Sequence, residues 1–358
     1  MKILIYCCSV YQLFNGIHLR MHLHPEDEVD VMLSDILPGQ EKLAEGLRRS
    51  GLFGKVITSQ GKFIARQQYR HTRWTIYGYR IFPSILLKQV GVCLEDAYDR
   101  FYFGTFDEYV SYLFLRLHWL NKNLEAFCFE DGGYTYMHTY QSCNVIEERL
   151  YRWLGILPLG KAKVPLLVYE PDLMTFDCGA PVLKMPSIDL EDAAFREAVN
   201  TVFDFSSASL PECEAIFFEE SFLADGLENN DAELIELCNR LCGGNMLLKP
   251  HPRNPYNRFE KSGIRILHSK IPWEVFCLNV DLTGKKLITI NSNSAISPHI
   301  LLGTKAQTIL LFNMLKGKSA LHGNVEAAMY YQKLLQIFSG EIVAPANAEE
   351  LGLLLEKH

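Results

Sequence analysis

The sequence lacks the short motifs that mark several large enzyme classes. It contains no GxGxxG fingerprint, no Walker phosphate loop, no HExxH and no GxSxG, which disfavours a dinucleotide oxidoreductase and the other classes those motifs mark. It also lacks Asp-x-Asp, the usual mark of metal-dependent sugar transfer, and its nearest acidic run, Glu26-Asp27-Glu28, precedes a predicted strand instead of ending one. Chemistry at this chain is therefore expected to proceed without a metal or another cofactor.

Long apolar runs and paired cysteines are missing as well. No stretch approaches the roughly 18 apolar residues needed to span a bilayer. The first residues, 1–8, are typical of a buried strand and are too short for a signal peptide. The ten cysteines include no CxxC, and most fall inside apolar strand or helix patterns, as buried thiols do. These features predict a cytoplasmic protein with reduced cysteines.

Acidic residues are absent from one long segment, although the chain as a whole is acidic. The formal net charge of -7 disfavours bulk nucleic-acid binding, yet no Asp or Glu occurs between Gly46 and Leu94. The basic residues of this segment are Arg48, Arg49, Lys55, Lys62, Arg66, Arg70, Arg73, Arg80 and Lys88. The aromatic residues among them are Phe63, Tyr69, Trp74, Tyr77, Tyr79 and Phe82. Residues 48–82 suit peripheral contact with an anionic lipid surface, such as the inner face of the cytoplasmic membrane, or with an anionic polymer. A solvated helix face with inward-packed aromatics explains the pattern equally well.

Short apolar runs alternate with longer amphipathic ones along the chain, which is typical of a parallel βαβ architecture. We predict strands near 2–8, 28–34, 54–58, 99–104, 124–130, 215–218, 246–249, 263–267, 286–290 and 306–312. We predict helices near 11–23, 40–50, 107–121, 143–155, 190–203, 231–242, 272–279, 294–302, 324–337 and 347–356. The proline-rich stretch between the two series lacks a clean period and is typical of an interdomain crossing.

These patterns predict an α/β protein with two Rossmann-like domains facing across a cleft. The chain of 358 residues, 48% of them hydrophobic, is long enough for two cores. The predicted boundaries are 1–156 for the amino-terminal, acceptor-side domain, 157–189 for the crossing, and 190–358 for the carboxyl-terminal, nucleotide-sugar-binding domain. Ligands of such sheets bind beyond the carboxyl ends of the strands, so polar motifs at strand ends carry extra weight.

The first such motif is acidic. An apolar strand ends in Glu130-Asp131-Gly132-Gly133, where glycine lets the chain turn sharply beside a ligand. Adjacent carboxylates repel, which raises the pKa of one of them toward that of a useful base. An ordinary acidic turn that caps the next helix is the alternative.

The second motif is basic and the third is rich in hydroxyls. In Lys249-Pro250-His251-Pro252-Arg253 two prolines hold an imidazole rigidly between cations, which suits a phosphate-bearing ligand better than a plain surface loop. In 289–295, serine and asparagine side chains open an apolar helix, whose free amides form an anion site as well as a cap. Two weaker candidates are Gln12, after the first strand, and a rival acidic group after strand 215–218 that consists of Glu219, Glu220 and Asp225.

In this order the three motifs resemble those of the bacterial sialyltransferases and polysialyltransferases, with the lipooligosaccharide sialyltransferases of glycosyltransferase family 52 as the nearest group. The resemblance covers the motif order and the two-domain rhythm over most of the chain. It rests on Glu130-Asp131-Gly132, on His251-Pro252 and on Ser292 to Ser294.

The resemblance implies a GT-B fold and an inverting, metal-independent transfer of N-acetylneuraminic acid from its CMP-activated donor to a galactose- or sialic-acid-terminated surface glycan. Asp131, with Glu130 beside it, would deprotonate the acceptor hydroxyl, unless an acid of the second domain such as Glu220 or Asp225 does so. His251 would contact the CMP phosphate and assist its departure. The donor-binding residues would be Lys249, Pro252, Arg253, Ser292, Asn293, Ser294, Gly132 and Gln12. A lipid-linked acceptor and a homodimer fit the same reading. The alternatives are a GT-B transferase that uses a UDP-hexose or a CDP-alditol, and a non-catalytic protein that binds glycan or lipid.

Overall fold

The computed structural model describes residues 1–68, 70, 72–137, 157–207, 209–269, 271–319 and 323–355. The chain forms two compact units. The first comprises Met1–Pro171 and Phe176–Ser206, and the second comprises Asp172–Thr175 and Ser207–His358. Within the described ranges, no helix is both long and apolar enough to cross a membrane.

The first unit is built on a seven-stranded parallel sheet. Its strands are β1 (Lys2–Cys7), β2 (Glu28–Ser34), β3 (Val56–Ser59), β4 (Arg100–Phe103), β5 (Glu125–Phe129), β6 (Leu166–Val168) and β7 (Val182–Lys184), in the order β3-β2-β1-β4-β5-β6-β7. Its helices are α1 (Val10–His18), α2 (Gln40–Ser50), α3 (Gly61–Ala65), α4 (Arg73–Ile81), α5 (Pro83–Gln89), α6 (Glu108–Leu120), α7 (Tyr134–Met137) and α8 (Ala193–Phe203). Strand β1 is buried along nearly its whole length because it lies in the middle of this sheet.

The second unit repeats the plan with a six-stranded parallel sheet. Its strands are β8 (Ala215–Phe218), β9 (Met246–Lys249), β10 (Arg265–Ile266), β11 (Lys286–Thr289), β12 (Gln307–Leu310) and β13 (Ile342–Val343), in the order β10-β9-β8-β11-β12-β13. Its helices are α9 (Asp231–Leu241), α10 (Trp273–Asn279), α11 (Asn293–Leu302), α12 (Val325–Ile337) and α13 (Ala348–Leu355). Numbered from its own first strand, the second sheet has the order 3-2-1-4-5-6 of a Rossmann-like domain, and the first sheet has the same order with a seventh strand added beside the sixth.

The stretch 157–189, which we predict as a crossing between domains, contains the last two strands of the first sheet, β6 and the edge strand β7. The prolines flank the strands instead of interrupting them. Pro165 precedes β6 and its carbonyl accepts a hydrogen bond from the amide of Cys128, and the carbonyl of Pro181 accepts one from the amide of Leu166. Proline is tolerated where a strand begins or lies at a sheet edge. These strands have only three residues each, which is too short for a period to show.

The helix predicted at 190–203 exists as α8, but it belongs to the first unit and not to the second. It packs on α2 at very close range. A Cβ atom at Gly46 would lie 2.1 Å from the carbonyl oxygen of Val202, so only glycine allows the two backbones to approach this closely. The boundary between the units therefore falls near residue 206 instead of residue 190.

Other elements differ in extent. The helix predicted at 11–23 is α1 followed by a π-helical turn, Leu19–Leu23. Three helices, α3 to α5, occupy a region for which no helix was assigned, and strand β13 was not predicted either. The helix predicted at 143–155 lies outside the described residues. The described cysteines form no disulfide, and most of them are buried.

The strand order fixes where ligands are expected. In each sheet the strand order reverses between two neighbouring central strands. These are β1 and β4 in the first unit and β8 and β11 in the second. Ligands of open parallel sheets bind beyond the carboxyl ends of the strands at this point. The segments that follow β1, β5, β8, β9 and β11 are therefore the ones that carry candidate chemistry.

Candidate functional site

In the first unit, Asp131 is held by the loop that follows β1. Ser9 donates a hydrogen bond from its hydroxyl to Oδ1 of Asp131 over 3.1 Å, and Gln12 donates from Nε2 to Oδ2 over 2.8 Å. Ser9 also caps α1, because its hydroxyl accepts from the amide of Gln12. The amide of Cys8 in turn donates to Oε1 of Gln12 over 2.8 Å, which fixes the orientation of that side chain. Asp131 is partly exposed, and burial raises its pKa above the usual value.

Glu130 points into the interior and is 1% exposed. Its Oε1 accepts from the hydroxyl of Tyr11 over 2.6 Å, and its Oε2 accepts from the hydroxyl of Tyr136 and, over 3.0 Å, from the amide of Tyr169. Burial raises the pKa of Glu130, and the charge of Asp131 is the smallest of the causes. The expected repulsion between adjacent carboxylates is therefore not the main reason for either raised pKa. The two side chains have different surroundings: Glu130 is buried among tyrosines, and Asp131 is partly open to solvent.

Two glycines shape this end of the sheet. Gly132 has a φ of 76°, in the left-handed region, so the turn after Asp131 favours glycine at this position. At Gly104, after β4, a Cβ would lie 2.6 Å from Cγ and Cδ of Gln12. Gln12, which is fully buried, therefore reaches Asp131 only because Gly104 leaves room for it. We predicted Gln12 as a donor-binding residue, and its observed contacts are with Asp131 and Cys8.

In the second unit, His251 follows β9 and is held through its backbone. Its amide donates to Oε2 of Glu219 over 3.1 Å, and its carbonyl accepts from the amide of Asn254 over 3.0 Å. The amide of Arg253 donates to Nδ1 of His251 over 3.2 Å. In the neutral ring one nitrogen accepts and the other carries the proton, so Nε2 is the donor. Burial, and then the charge of Arg253, lower the pKa of His251, which keeps the imidazole neutral at pH 7 with an N–H to offer.

A buried cluster of one arginine and two carboxylates holds the backbone of the His251 loop. The guanidinium of Arg258 lies 2.8 Å from Glu219 and 2.6 Å from Asp231, whose side chains are 2% and 4% exposed. Glu219 thereby bridges Arg258 and the amide of His251. Such a pair is costly to break, because removing one partner leaves an uncompensated buried charge. Glu219 is therefore engaged in the fold and is not an accessible base.

The other basic-motif residues occupy distinct surroundings. Arg253 forms an ion pair with Asp225 over 3.2 Å and donates to the hydroxyl of Ser221 over 2.7 Å. Asp225, one of the rival bases, is therefore already bound by Arg253. Pro252 is exposed on the turn. Lys249 is partly buried, and burial lowers its pKa. The cations that flank His251 in sequence therefore do not surround it as a cluster of unpaired charges.

The hydroxyl-rich segment begins α11 as predicted from its composition. Ser292 is the N-cap, and its hydroxyl accepts from the amide of Ser294 over 3.3 Å. Asn293 is the first residue of the helix, and the side chains of Ser292, Asn293 and Ser294 are all partly exposed. Because β9 and β11 both lie beside β8, the carboxyl ends of the three strands bring His251 and this helix start to the same edge of the second sheet.

Glu220 links these two segments at the end of β8. Its Oε1 accepts from the hydroxyl of Thr289 over 2.9 Å and from the amide of Asn291 over 2.8 Å, and its carbonyl accepts from the side chain of Asn254. Burial raises the pKa of Glu220 to about 7. Among the three acids proposed as rivals to Asp131, it is the one that combines partial exposure with a raised pKa.

The raised pKa of Glu220 makes stability depend on pH. An acid whose folded-state pKa exceeds its unfolded value costs stability as pH rises through that interval, here from about 4.5 to 7 and by about 3 kcal/mol in total. We expect Glu220→Gln to remove this loss, so that the variant gains stability relative to wild type at about pH 8 but not at about pH 5. Denaturant unfolding at both pH values measures it. The exposed Glu228→Gln is the matched control, and an unchanged pH dependence in Glu220→Gln would contradict the assignment.

Several residues that support the candidate site do not stand out in the sequence. Tyr136 and Tyr169 bind Glu130, and Arg258, which also pairs with Asp231, binds Glu219. Asp107 caps α6 through the amide of Val110 and follows β4, at the edge of the first sheet where Asp131 follows β5. Burial raises the pKa of Asp107 to about 6. The rule that singled out strand ends would have found Asp107, because it lies just beyond β4.

Comparison with known proteins shows the fold. No family model and no curated protein sequence matches the chain. Solved structures match over nearly its whole length. The α/β-galactoside α-2,3-sialyltransferase of the luminous marine bacterium Photobacterium phosphoreum is 12% identical, with 96% of this chain and 98% of that one covered and a TM-score of 0.50. Arabidopsis thaliana UGT89C1 complexed with UDP is 10% identical, with 99% and 89% covered and a TM-score of 0.50.

The chain thus has two parallel-sheet α/β domains of the GT-B type, as predicted. Identities of 10 to 12% establish fold and not activity. What the chain does has to be argued from the residues at its strand ends.

Proposed function

We propose that the chain is a glycosyltransferase that moves N-acetylneuraminic acid from CMP-N-acetylneuraminic acid to a surface glycan, with inversion and without a metal. The observation that carries the proposal lies in the second unit. A rigid, neutral histidine, whose Nε2 donates to no group of the described residues, and a serine-capped helix start share one edge of a Rossmann-like sheet. A phosphate-bearing ligand suits this combination of donors.

On the donor side, the amides at the start of α11 and the hydroxyls of Ser292 and Ser294 would bind the phosphate of CMP. The positive end of the helix dipole favours this anion. Nε2 of His251 would donate to a phosphate oxygen as the bond to the sugar breaks and negative charge develops on the leaving group. Asn293, Lys249, Pro252 and Arg253 remain candidates for contacts with the rest of the donor.

On the acceptor side, Asp131 would take the proton of the attacking hydroxyl. Its pKa is raised by burial, it is partly exposed, and Ser9 and Gln12 fix both carboxylate oxygens while leaving each able to accept a further hydrogen bond. Glu130 and Gln12 would act through Asp131 as positioning residues. Gly132 would let the backbone turn close to the ligand. Glu220 is the rival base, favoured by its pKa of about 7.

The choice of sialic acid rests on the motif resemblance, and the similarity to the Photobacterium phosphoreum sialyltransferase agrees with it. The similarity to UGT89C1 with UDP keeps a UDP-sugar donor as the alternative, together with a CDP-alditol. A galactose- or sialic-acid-terminated acceptor, lipid-linked or free, and a homodimer belong to the same proposal. A non-catalytic glycan- or lipid-binding protein is the alternative of another class.

A nucleotide panel tests the donor. We expect CMP to raise the melting temperature by several degrees without added metal, because saturating ligand stabilises the folded state by about 3 kcal/mol at a hundred times Kd. UDP and CDP should raise it less. The variant His251→Ala should lose most of the rise in melting temperature that CMP causes. A larger shift with UDP would contradict the CMP donor, and no shift with any nucleotide would favour the non-catalytic alternative.

A further inference from the structure

Helix α4 carries apolar side chains that the protein does not bury. Its sequence from Arg73 to Ile81 contains tryptophan, two isoleucines and two tyrosines, yet none of its described side chains is buried. Trp74 is 85% exposed. Helices of globular proteins normally bury an apolar stripe against a neighbour. The isoleucines and tyrosines of α4 are partly buried, whereas the ring of Trp74 is open to solvent.

The next helix continues the exposed apolar surface. Phe82, at the junction of α4 and α5, is 51% exposed, and Ile85, one turn later, is 52% exposed. Leu86 and Leu87 on the other side of α5 are buried, so α5 is anchored in the unit while it presents Ile85 outward. Exposed apolar residues scattered singly need no explanation, but a cluster on consecutive helices indicates an interaction surface.

Positive charge accompanies this surface. Lys62 and Arg66, four residues apart across α3 and its C-cap, are exposed, and Lys88 lies one turn after Ile85 on α5. No carboxylate of the described residues forms an ion pair with these three side chains. Arg49, Lys55 and Arg70 differ, because acids from outside the segment neutralise them. The unneutralised cations thus lie near the exposed rings in the sequence.

We propose that α4 and α5, with Trp74, Phe82 and Ile85, form a docking surface that inserts into the interface of an anionic phospholipid membrane, with Lys62, Arg66 and Lys88 on the lipid phosphates. Burial of rings and aliphatic side chains at the acyl boundary favours binding, and so does the electrostatic attraction between nearby cations and anionic headgroups. An anionic polysaccharide would satisfy the cations but would leave Ile85 and Phe82 in water, so a membrane fits the surface better. None of the 42 acidic residues of the chain lies between Gly46 and Leu94, and an anionic surface would therefore orient the molecule with α4 and α5 toward it.

Cosedimentation with vesicles tests this inference, which stands independently of the proposed function because it needs no nucleotide. We expect binding to vesicles of equal parts phosphatidylcholine and phosphatidylglycerol, weakened by salt, and little binding to phosphatidylcholine alone. Trp74→Ser with Ile85→Ser, and separately Lys62→Glu with Arg66→Glu, should each weaken binding at least about tenfold, since one cation near such a surface is worth about fivefold.

Matched controls separate the surface from general effects. Trp119→Ser removes another largely exposed tryptophan, at 57% exposure on α6, and Lys261→Glu reverses an exposed lysine of the second unit. Both should bind vesicles as wild type does, and all variants should keep the wild-type melting temperature. Equal binding by wild type and the Trp74/Ile85 variant, absence of vesicle binding, or binding to heparin but not to vesicles would each overturn the proposal.

Discussion

Replacing Asp131 by asparagine is expected to lower kcat for sugar transfer by about 10² to 10⁴-fold, which is what a positioned general base contributes. Asparagine has the shape of aspartate and keeps an oxygen for Ser9 or Gln12, but it cannot take a proton. The KM for the donor should change little, since Asp131 belongs to the acceptor side. Burial raises the pKa of Asp131, so the acidic limb of the wild-type kcat profile should lie above the usual carboxyl range.

Steady-state release of CMP, measured over a pH series, checks this expectation. Asp177→Asn is the matched control, because Asp177 is an exposed acid of the same unit. A wild-type kcat in Asp131→Asn would show that the base is elsewhere, and a severe loss in Glu220→Gln under the same conditions would identify it.

Replacing His251 by alanine is expected to lower kcat by about 10² to 10³-fold, the usual cost of losing one donor to a developing negative charge. The loop itself should survive, because Glu219 and Asn254 hold its backbone and not its ring. Because the pKa of His251 is lowered, the ring should act as a neutral donor, and CMP affinity should not rise when the pH falls from about 7.5 to 6.5.

Two further variants give this result its meaning. His251→Gln retains an N–H donor on a side chain of similar reach and should recover part of the lost rate. His268→Ala removes an exposed histidine of the same unit and should leave kcat unchanged. Equal rates for wild type and His251→Ala would remove His251 from the reaction.

The sequence located the central strands well because buried parallel strands are continuous apolar runs. Strand β9 was predicted at its observed bounds, and β5 within a residue at each end. The same signal failed for β6 and β7, which are three residues long and flanked by prolines. The assignment of α8 failed for another reason. Its place is decided by the close contact between Gly46 and Val202, residues far apart in the chain, and no local pattern records such a contact.

The candidate site shows the same division. Composition and position at strand ends singled out Asp131 and His251, but their supports come from distant segments. Tyr11 and the amide of Tyr169 reach Glu130 across 119 and 39 residues of chain, and Arg258 reaches Glu219 across 39. Adjacent sequence suggested that Glu130 and Asp131 act together by repulsion. Burial gives them separate surroundings, which only the folded chain reveals.

We propose that His251 and the start of α11 bind the phosphate of the donor, and a crystal structure with CMP tests this most directly. We expect the phosphate within hydrogen-bond distance of Nε2 of His251 and of the amides that begin α11. A phosphate bound away from His251 and from these amides would contradict the proposal.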